Sequence, residues 1–293
     1  MIETVEHPTF SRSDFSSRNK AAGLSAIVVL KNETEFSRAA LNSIEPYFDE
    51  FIIVYNECRD QTPEIVAEFA RQNGEHVKVY HYVPHIAPLG SREHQTTPGN
   101  SVHSFVYQCN FALSRASFQI RCKWDGDEIA DPNSFGSLTR RLRQLRRGSL
   151  EWWFSPWRLG YWWYTGLNLW DERGALFVPD HRPFMGHAKD HGFFPAGRWI
   201  MYKRYRGGEY LFTRLLAKRY MGCVCYHLRG LKKQRGFEKY QFEQNPESLY
   251  ARRMRRYFAN PKFIPLCEFR ESNAKARQLP LPEALGIRPI YER

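Results

Sequence analysis

Four short apolar runs separated by helical periods constrain this chain more than any other feature. "LSAIVVL" (24–30), "FIIVYN" (51–56), "HVKVYHYV" (76–83) and "FQIRCKW" (118–124) are rich in β-branched and aromatic residues. Each is too short for a core helix, and runs of this kind suit strands buried on both faces of a parallel sheet. Between them, "NETEFSRAALNSIEPY" places Phe36, Ala39, Ala40, Leu41 and Ile44 at amphipathic helical spacing. "TPEIVAEFARQNG" repeats the pattern, with Thr62 expected as N-cap, Pro63 at the first helical position and Gly74 as terminator. "SVHSFVYQCNFALSRA" supplies a third helix, and "NSFGSLTRRLRQLRRG" a fourth, with Leu138, Leu142 and Leu145 as its apolar stripe and arginines on the solvated remainder. Alternating strands and helices require parallel crossovers, so the expected architecture is an open α/β sheet covered by helices.

The periods divide the chain of 293 residues. Residues 1–23 are polar and Ser-rich, and are expected as an arm, mobile or laid on the surface, with the ordered domain beginning near Leu24. Residues 24–150 hold the regular alternation. Residues 151–228 turn to aromatics, Gly and Pro; six of the eight tryptophans fall in "EWWFSPWRLGYWWYTGLNLW" (151–170), a concentration that suits sugar stacking, a membrane interface or a roof over the sheet. Residues 229–293 are expected to form a basic, helical carboxyl-terminal segment.

Lys and Arg number 43 against 31 Asp and Glu, a formal net charge of +12, which points to an anionic partner: nucleic acid, an anionic membrane surface or a phosphorylated small molecule. No run approaches the length of a membrane span, and the amino terminus lacks the apolar centre of a signal peptide, so the cytoplasm is the expected compartment. The six cysteines (Cys58, Cys109, Cys122, Cys223, Cys225 and Cys267) show no CxxC spacing and are read as reduced, with no zinc site implied.

"RCKWDGDEIADP" (121–132) crowds Asp125, Asp127 and Glu128 into four positions directly after the fourth strand. Like charges this close raise one another's pKa unless a cation lies between them. Ligands bind at the carboxyl edge of an open α/β sheet, so position favours a divalent metal over a solvated acidic turn.

In this order the parts resemble family 2 type glycosyltransferases with the GT-A fold. The resemblance rests on "IVVLKNE", "IIVYNECRDQTPEIV", "QCNFALSRA" and the DxD motif in "KWDGDE", in family order over residues 24–135, with a looser match at His227 in "CVCYHLRG". It implies a Rossmann-like, mixed but mainly parallel sheet, with a nucleotide-sugar-binding half at 24–150 and an acceptor-side half at 151–228. It implies nucleotide contacts from Leu30, Asn32, Glu33, Tyr55, Asn56, Asp60, Trp124 and Asp125, and Mn²⁺ or Mg²⁺ held by Asp125, Asp127 and His227. Arg229 and Lys233 stand where a basic loop would cover the diphosphate, although a solvated basic helix has the same composition. The chain departs from the family at Tyr55, followed by Asn56, where an Asp usually meets the nucleobase; this leaves uridine, guanosine, thymidine and cytidine donors open.

Inverting transfer needs a carboxylate to take the acceptor proton. Asp171, Glu172, Asp180 and Asp190 lie in the acceptor half, and "HAKDHGFFP" gives Asp190 the most apolar and aromatic neighbourhood. The expected partners are therefore a nucleotide-sugar donor and a saccharide or lipid-linked saccharide acceptor, with an anionic membrane surface for the basic carboxyl-terminal segment. The alternative class is a nucleic-acid-binding protein using Arg-rich helices as a phosphate footprint; no recognisable nucleic-acid motif accompanies it.

Overall fold

The computed structural model describes residues 2–16, 20–88 and 91–144, and beyond them the strands at 160–171, 174–176, 192–195, 201–203, 209–211, 217–227 and 263–264 with residue 228. In chain order the strands are β1 (Ile2–Val5), β2 (Ala21–Leu30), β3 (Glu50–Tyr55), β4 (Val77–Tyr82), β5 (Phe118–Trp124), β6 (Glu128–Ala130) and β7 (Gly160–Asp171). They continue as β8 (Gly174–Leu176), β9 (Gly192–Pro195), β10 (Met201–Lys203), β11 (Glu209–Leu211), β12 (Ala217–His227) and β13 (Phe263–Ile264). The α-helices are α1 (Ser37–Ile44), α2 (Thr62–Asn73), α3 (Arg92–Thr96), α4 (Phe105–Ser114) and α5 (Pro132–Gln144).

The main sheet runs β1-β4-β3-β2-β5-β9-β7-β12-β6. Its first five strands are mutually parallel, as the four apolar runs require. Alternation along each strand then assigns the faces. Ala26, Val28, Ile53, Cys122 and Trp124 pack with Leu41, Ile44, Val66, Phe69, Leu138 and Leu142 of α1, α2 and α5. Ile27, Ile52, Val54, Tyr80 and Tyr82 pack with Val106, Cys109, Phe111 and Leu113 of α4 on the other face. Burying one such side chain contributes about 1.5–3 kcal/mol, so the two faces supply the main drive to fold.

Two local readings differ from the sequence expectation. The first residues are not merely an arm: β1 pairs in parallel with β4, Ile2 opposite Val79 and Val5 opposite Tyr82, while Phe15 is buried and Phe10 lies 4.6 Å from the Tyr107 ring. Thr62 is inside α2 rather than its cap, and Gln61 holds the cap position. The reason is a better use of both side chains. The Thr62 hydroxyl accepts the Glu33 N–H at 2.8 Å, and Asp60 accepts the Thr62 N–H at 3.1 Å.

Candidate metal centre

The site begins with the way β5 ends. Trp124 is wholly buried, its ring edge-on to Phe135 at 5.1 Å, and its indole N–H donates to the Glu128 carbonyl at 3.0 Å. The Glu128 N–H donates to the Asp125 carbonyl at 3.2 Å, which closes residues 125–128 into a tight turn. The Asp125 N–H lies 3.4 Å from the Glu128 carboxylate. Gly126 is required by close approach: a Cβ there would stand 2.7 Å from Leu30 Cδ2 and 3.3 Å from Glu33 Cβ. The turn is thus seated on the loop that follows β2.

Only residues 125–127 separate β5 from β6, and β6 pairs antiparallel with β12, Glu128 opposite His227. The Leu228 N–H donates to the Asp127 carbonyl at 2.8 Å. Chain connectivity therefore brings His227 to the turn. His227 Nε2 lies 3.5 Å from Asp127 Oδ2, and single ligand atoms of Asp125, Asp127 and His227 all fall within 4.8 Å of one another. Two ligands about 2.1 Å from one octahedral cation stand about 3 Å apart when adjacent, so small side-chain shifts close this group on a divalent ion. Two carboxylates and an imidazole form a donor set for Mn²⁺ or a similar cation. Among the described residues this is the one group of three or more His, Cys, Asp or Glu with that geometry. Asp127 is 5% exposed at its side chain and His227 14%, whereas Asp125, at 29%, is the most exposed of the three.

The loops after β2 and β3 form the adjoining wall. Asn32 takes a left-handed backbone, φ 55°, and its side-chain carbonyl accepts the Arg59 N–H at 2.7 Å. Asp60 accepts from Thr34 N–H at 3.0 Å as well as from Thr62. Partial burial pushes the Asp60 carboxyl up, but these bonds outweigh it and hold the group below its ordinary value. Asn56 donates from its side chain to the Pro84 carbonyl at 3.1 Å, and Tyr55 is buried with its ring stacked on His81 at 4.9 Å.

Of the residues expected at the nucleotide or the metal, the structure brings Leu30, Glu33, Asp125, Asp127 and His227 to one turn. It uses Asn32, Asn56 and Asp60 to knit the loops, and sets Trp124 beneath as a support. Asp190, Arg229 and Lys233 lie outside the described residues.

Two residues escaped the sequence reading. Glu57 follows β3 with φ 43°, and its carboxylate bridges Lys31 and His85 Nδ1, each at 2.7 Å. Partial burial raises that carboxyl, yet hydrogen bonds and charge from Lys31 and His85 hold it at about 2. The other is Lys123, whose ammonium lies 2.5 Å from Asp125 Oδ1 with 9% of its side chain exposed. Its signal was present in "FQIRCKW": Arg121 and Lys123 occupy alternate positions of a central strand, where a charge needs a specific partner.

Residues 5–117 match the family model described as beta-1,4-N-acetylgalactosaminyltransferase (CgtA), a stretch that ends before the Asp125 turn. A search of the curated proteins finds no match. Among solved structures, glucosyl-3-phosphoglycerate synthase from Mycobacterium tuberculosis with Mg²⁺ and uridine diphosphate is similar at 15% identity, covering 78% of this chain and 80% of that one, TM-score 0.40. The same enzyme with Mn²⁺, uridine diphosphate and glucosyl-3-phosphoglycerate gives 16% identity, 79% and 81% coverage and a TM-score of 0.39. A further mycobacterial protein gives 14%, 75% and 72%, and 0.42. The family-model match meets the resemblance to glycosyltransferases drawn from the strand and loop motifs.

Proposed function

We propose that this chain is a metal-dependent glycosyltransferase that moves a sugar from a nucleoside-diphosphate donor to a saccharide or lipid-linked saccharide, inverting the anomeric centre. The observation that carries this reading is the convergence of Asp125, Asp127 and His227 at the carboxyl end of β5, beside the loops after β2 and β3. The glycosyltransferase family match over 5–117 supports it independently.

Asp127 and His227, the more buried members of the group, and Asp125, the more exposed one, would hold the cation. Bound there, Mn²⁺ or Mg²⁺ supplies positive charge to the departing diphosphate as a Lewis acid. The acceptor oxygen attacks the anomeric carbon from the face opposite the diphosphate, which leaves with the bonding electron pair. Asp190 receives the acceptor proton, and Arg229 and Lys233 cover the diphosphate. Asp190→Asn is expected to lower turnover about 10²–10⁴-fold with donor affinity kept; the same profile at Asp171 or Asp180 instead would move the role there.

The deciding experiment is a thermal-shift panel of uridine, guanosine, thymidine and cytidine diphosphates, each with and without Mn²⁺. One diphosphate should raise the melting temperature only with metal; at 100 times its dissociation constant a ligand of the native state adds about 2.7 kcal/mol. Equal shifts without metal, or none with any diphosphate, would remove the reading.

The acceptor side of the proposal extends to location. Among the described residues no helix is long and apolar enough to cross a membrane. Residues 229–256 carry nine Lys or Arg against three Glu, and such a segment draws a cytoplasmic enzyme to the anionic inner face of a membrane. Co-sedimentation should follow anionic lipid and fade with salt; equal recovery with neutral vesicles would leave a soluble acceptor.

A further inference from the structure

Lys123 stands on the last turn-facing position of β5, and it points at the metal centre rather than away from it. It lies opposite Ile27 in the register of β2 and β5, on the sheet face that carries α4. Its ammonium meets Asp125 Oδ1 at 2.5 Å, and little of the side chain reaches water. The pair therefore keeps much of its charge attraction, unlike a solvated surface pair. The metal group without Lys123 would carry two carboxylate charges; with it, the local sum falls to one. A cation entering alone must share Asp125 with this ammonium and accept its repulsion. A cation entering with a diphosphate brings anionic oxygens that both it and Lys123 can meet, so the penalty turns into an attraction.

We propose that Lys123 sets the order of loading: it weakens the centre for a bare divalent cation and strengthens it for the cation together with a nucleoside diphosphate. Lys123 acts on the cation through Asp125 and meets the diphosphate oxygens directly. Metal and nucleotide then bind cooperatively, and by linkage each raises the other's affinity by the same factor. This inference rests on the reading of the centre as a metal-diphosphate site.

The test uses the full chain and Mn²⁺, with free Mn²⁺ followed by electron paramagnetic resonance, alone and with the diphosphate that the thermal panel selects. Wild-type protein should bind Mn²⁺ alone weakly and at least about tenfold more tightly with the diphosphate. Lys123→Met should bind Mn²⁺ alone about tenfold more tightly than wild type and the diphosphate less tightly, so that the coupling factor collapses. Lys123→Arg should keep the wild-type pattern. If Lys123→Met melts early, Lys123→Gln repeats the measurement with a polar tip in place. A merely structural lysine would weaken both ligands together on removal, and that outcome, or an unchanged affinity for Mn²⁺ alone, overturns the proposal while leaving the metal-diphosphate site standing. Wild-type protein that binds no diphosphate with or without Mn²⁺ overturns the site reading and this inference with it.

Discussion

At the amino-terminal half of β5, Arg121 sits in register with Ser25, which sits in register with Glu50 on the next strand. Glu50 is filled from three sides: the Ser25 hydroxyl at 2.7 Å, the Ser117 N–H, and Lys78 at 3.0 Å. Lys20 stands close by, donating to the Ala116 carbonyl. Burial drives the Arg121 guanidinium down to about 10, against the pull of the Glu50 charge. Cations surround a carboxylate here and the shell of that carboxylate is closed, although the three guanidinium nitrogens of Arg121 are buried with no hydrogen-bond partner among the described residues. At the carboxyl end of the same strand, and on the same face, Lys123 takes one oxygen of Asp125 while His227 Nε2 lies 3.5 Å from Asp127 Oδ2. That set gathers Asp125, Asp127 and His227, with one ligand atom of each within 4.8 Å of the others. Both clusters are buried and charged, so burial and charge do not separate a structural group from a ligand site. What separates them is composition: one carboxylate among several cations, against two carboxylates and an imidazole brought together.

The largest test of this contrast is a crossed pair of substitutions. Asp127→Asn removes one of the two carboxylates, so Mn²⁺-dependent diphosphate binding should fall below detection while the melting temperature holds or rises, because a like-charge neighbour of Asp125 has gone. Glu50→Ala strips Arg121, Lys20 and Lys78 of their counter-charge. Breaking a buried set in this way costs about 3–5 kcal/mol, and Mn²⁺ binding should survive in the folded fraction. Calorimetry of both variants, with Mn²⁺ titrations beside it, reads the two effects separately. Loss of stability in Asp127→Asn, or loss of metal in a well-folded Glu50→Ala, would break the distinction.

The two clusters also differ in how far the sequence shows them. The metal turn was legible because its residues are local: "KWDGDE" ends a run whose apolar residues mark a buried strand, and the edge that binds ligands follows from parallel order. Strands β2 to β5 and the helices between them were legible for the same reason, since each buries enough residues to impose its own period. The first strand was not, because only Val5 of its four residues is buried and its pairing is dictated by β4. Strand β6 has three residues, and only its pairing with β12 explains why His227 arrives at Asp127. The closed cluster was invisible, because Glu50 meets Ser25 across 25 positions and Ser117 across 67. Nothing local to "YFDEF" announces such partners. Tyr55 and Asn56 were legible as a departure from the family pattern, but their engagement by His81 and Pro84 depends on the fold.

The smallest expected effect sharpens the comparison most, because it sets one strand lysine against another. Lys78 and Lys123 each pair with a carboxylate, but the Lys78 side chain is 41% exposed, so solvent screens its contribution. Lys78→Met should cost about 0.5–1 kcal/mol at neutral pH, less in high salt, and leave Mn²⁺ binding unchanged. Its pH dependence has a definite sign. Burial pushes the Glu50 carboxyl up, but hydrogen bonds from Ser25, Ser117 and Lys78 outweigh it and hold the group below its ordinary 4.5. A depressed carboxyl contributes stability that is fully present above the unfolded value and is lost as pH falls through the folded one. Removing Lys78 narrows the gap between the two values, so the variant has less of this stability to lose. Acid unfolding profiles of wild type and Lys78→Met should therefore converge below about pH 4.5 and lie apart above it. Curves that diverge on acidification would mean that Lys78 acts by something other than the charge of Glu50, and the closed cluster would need a different account.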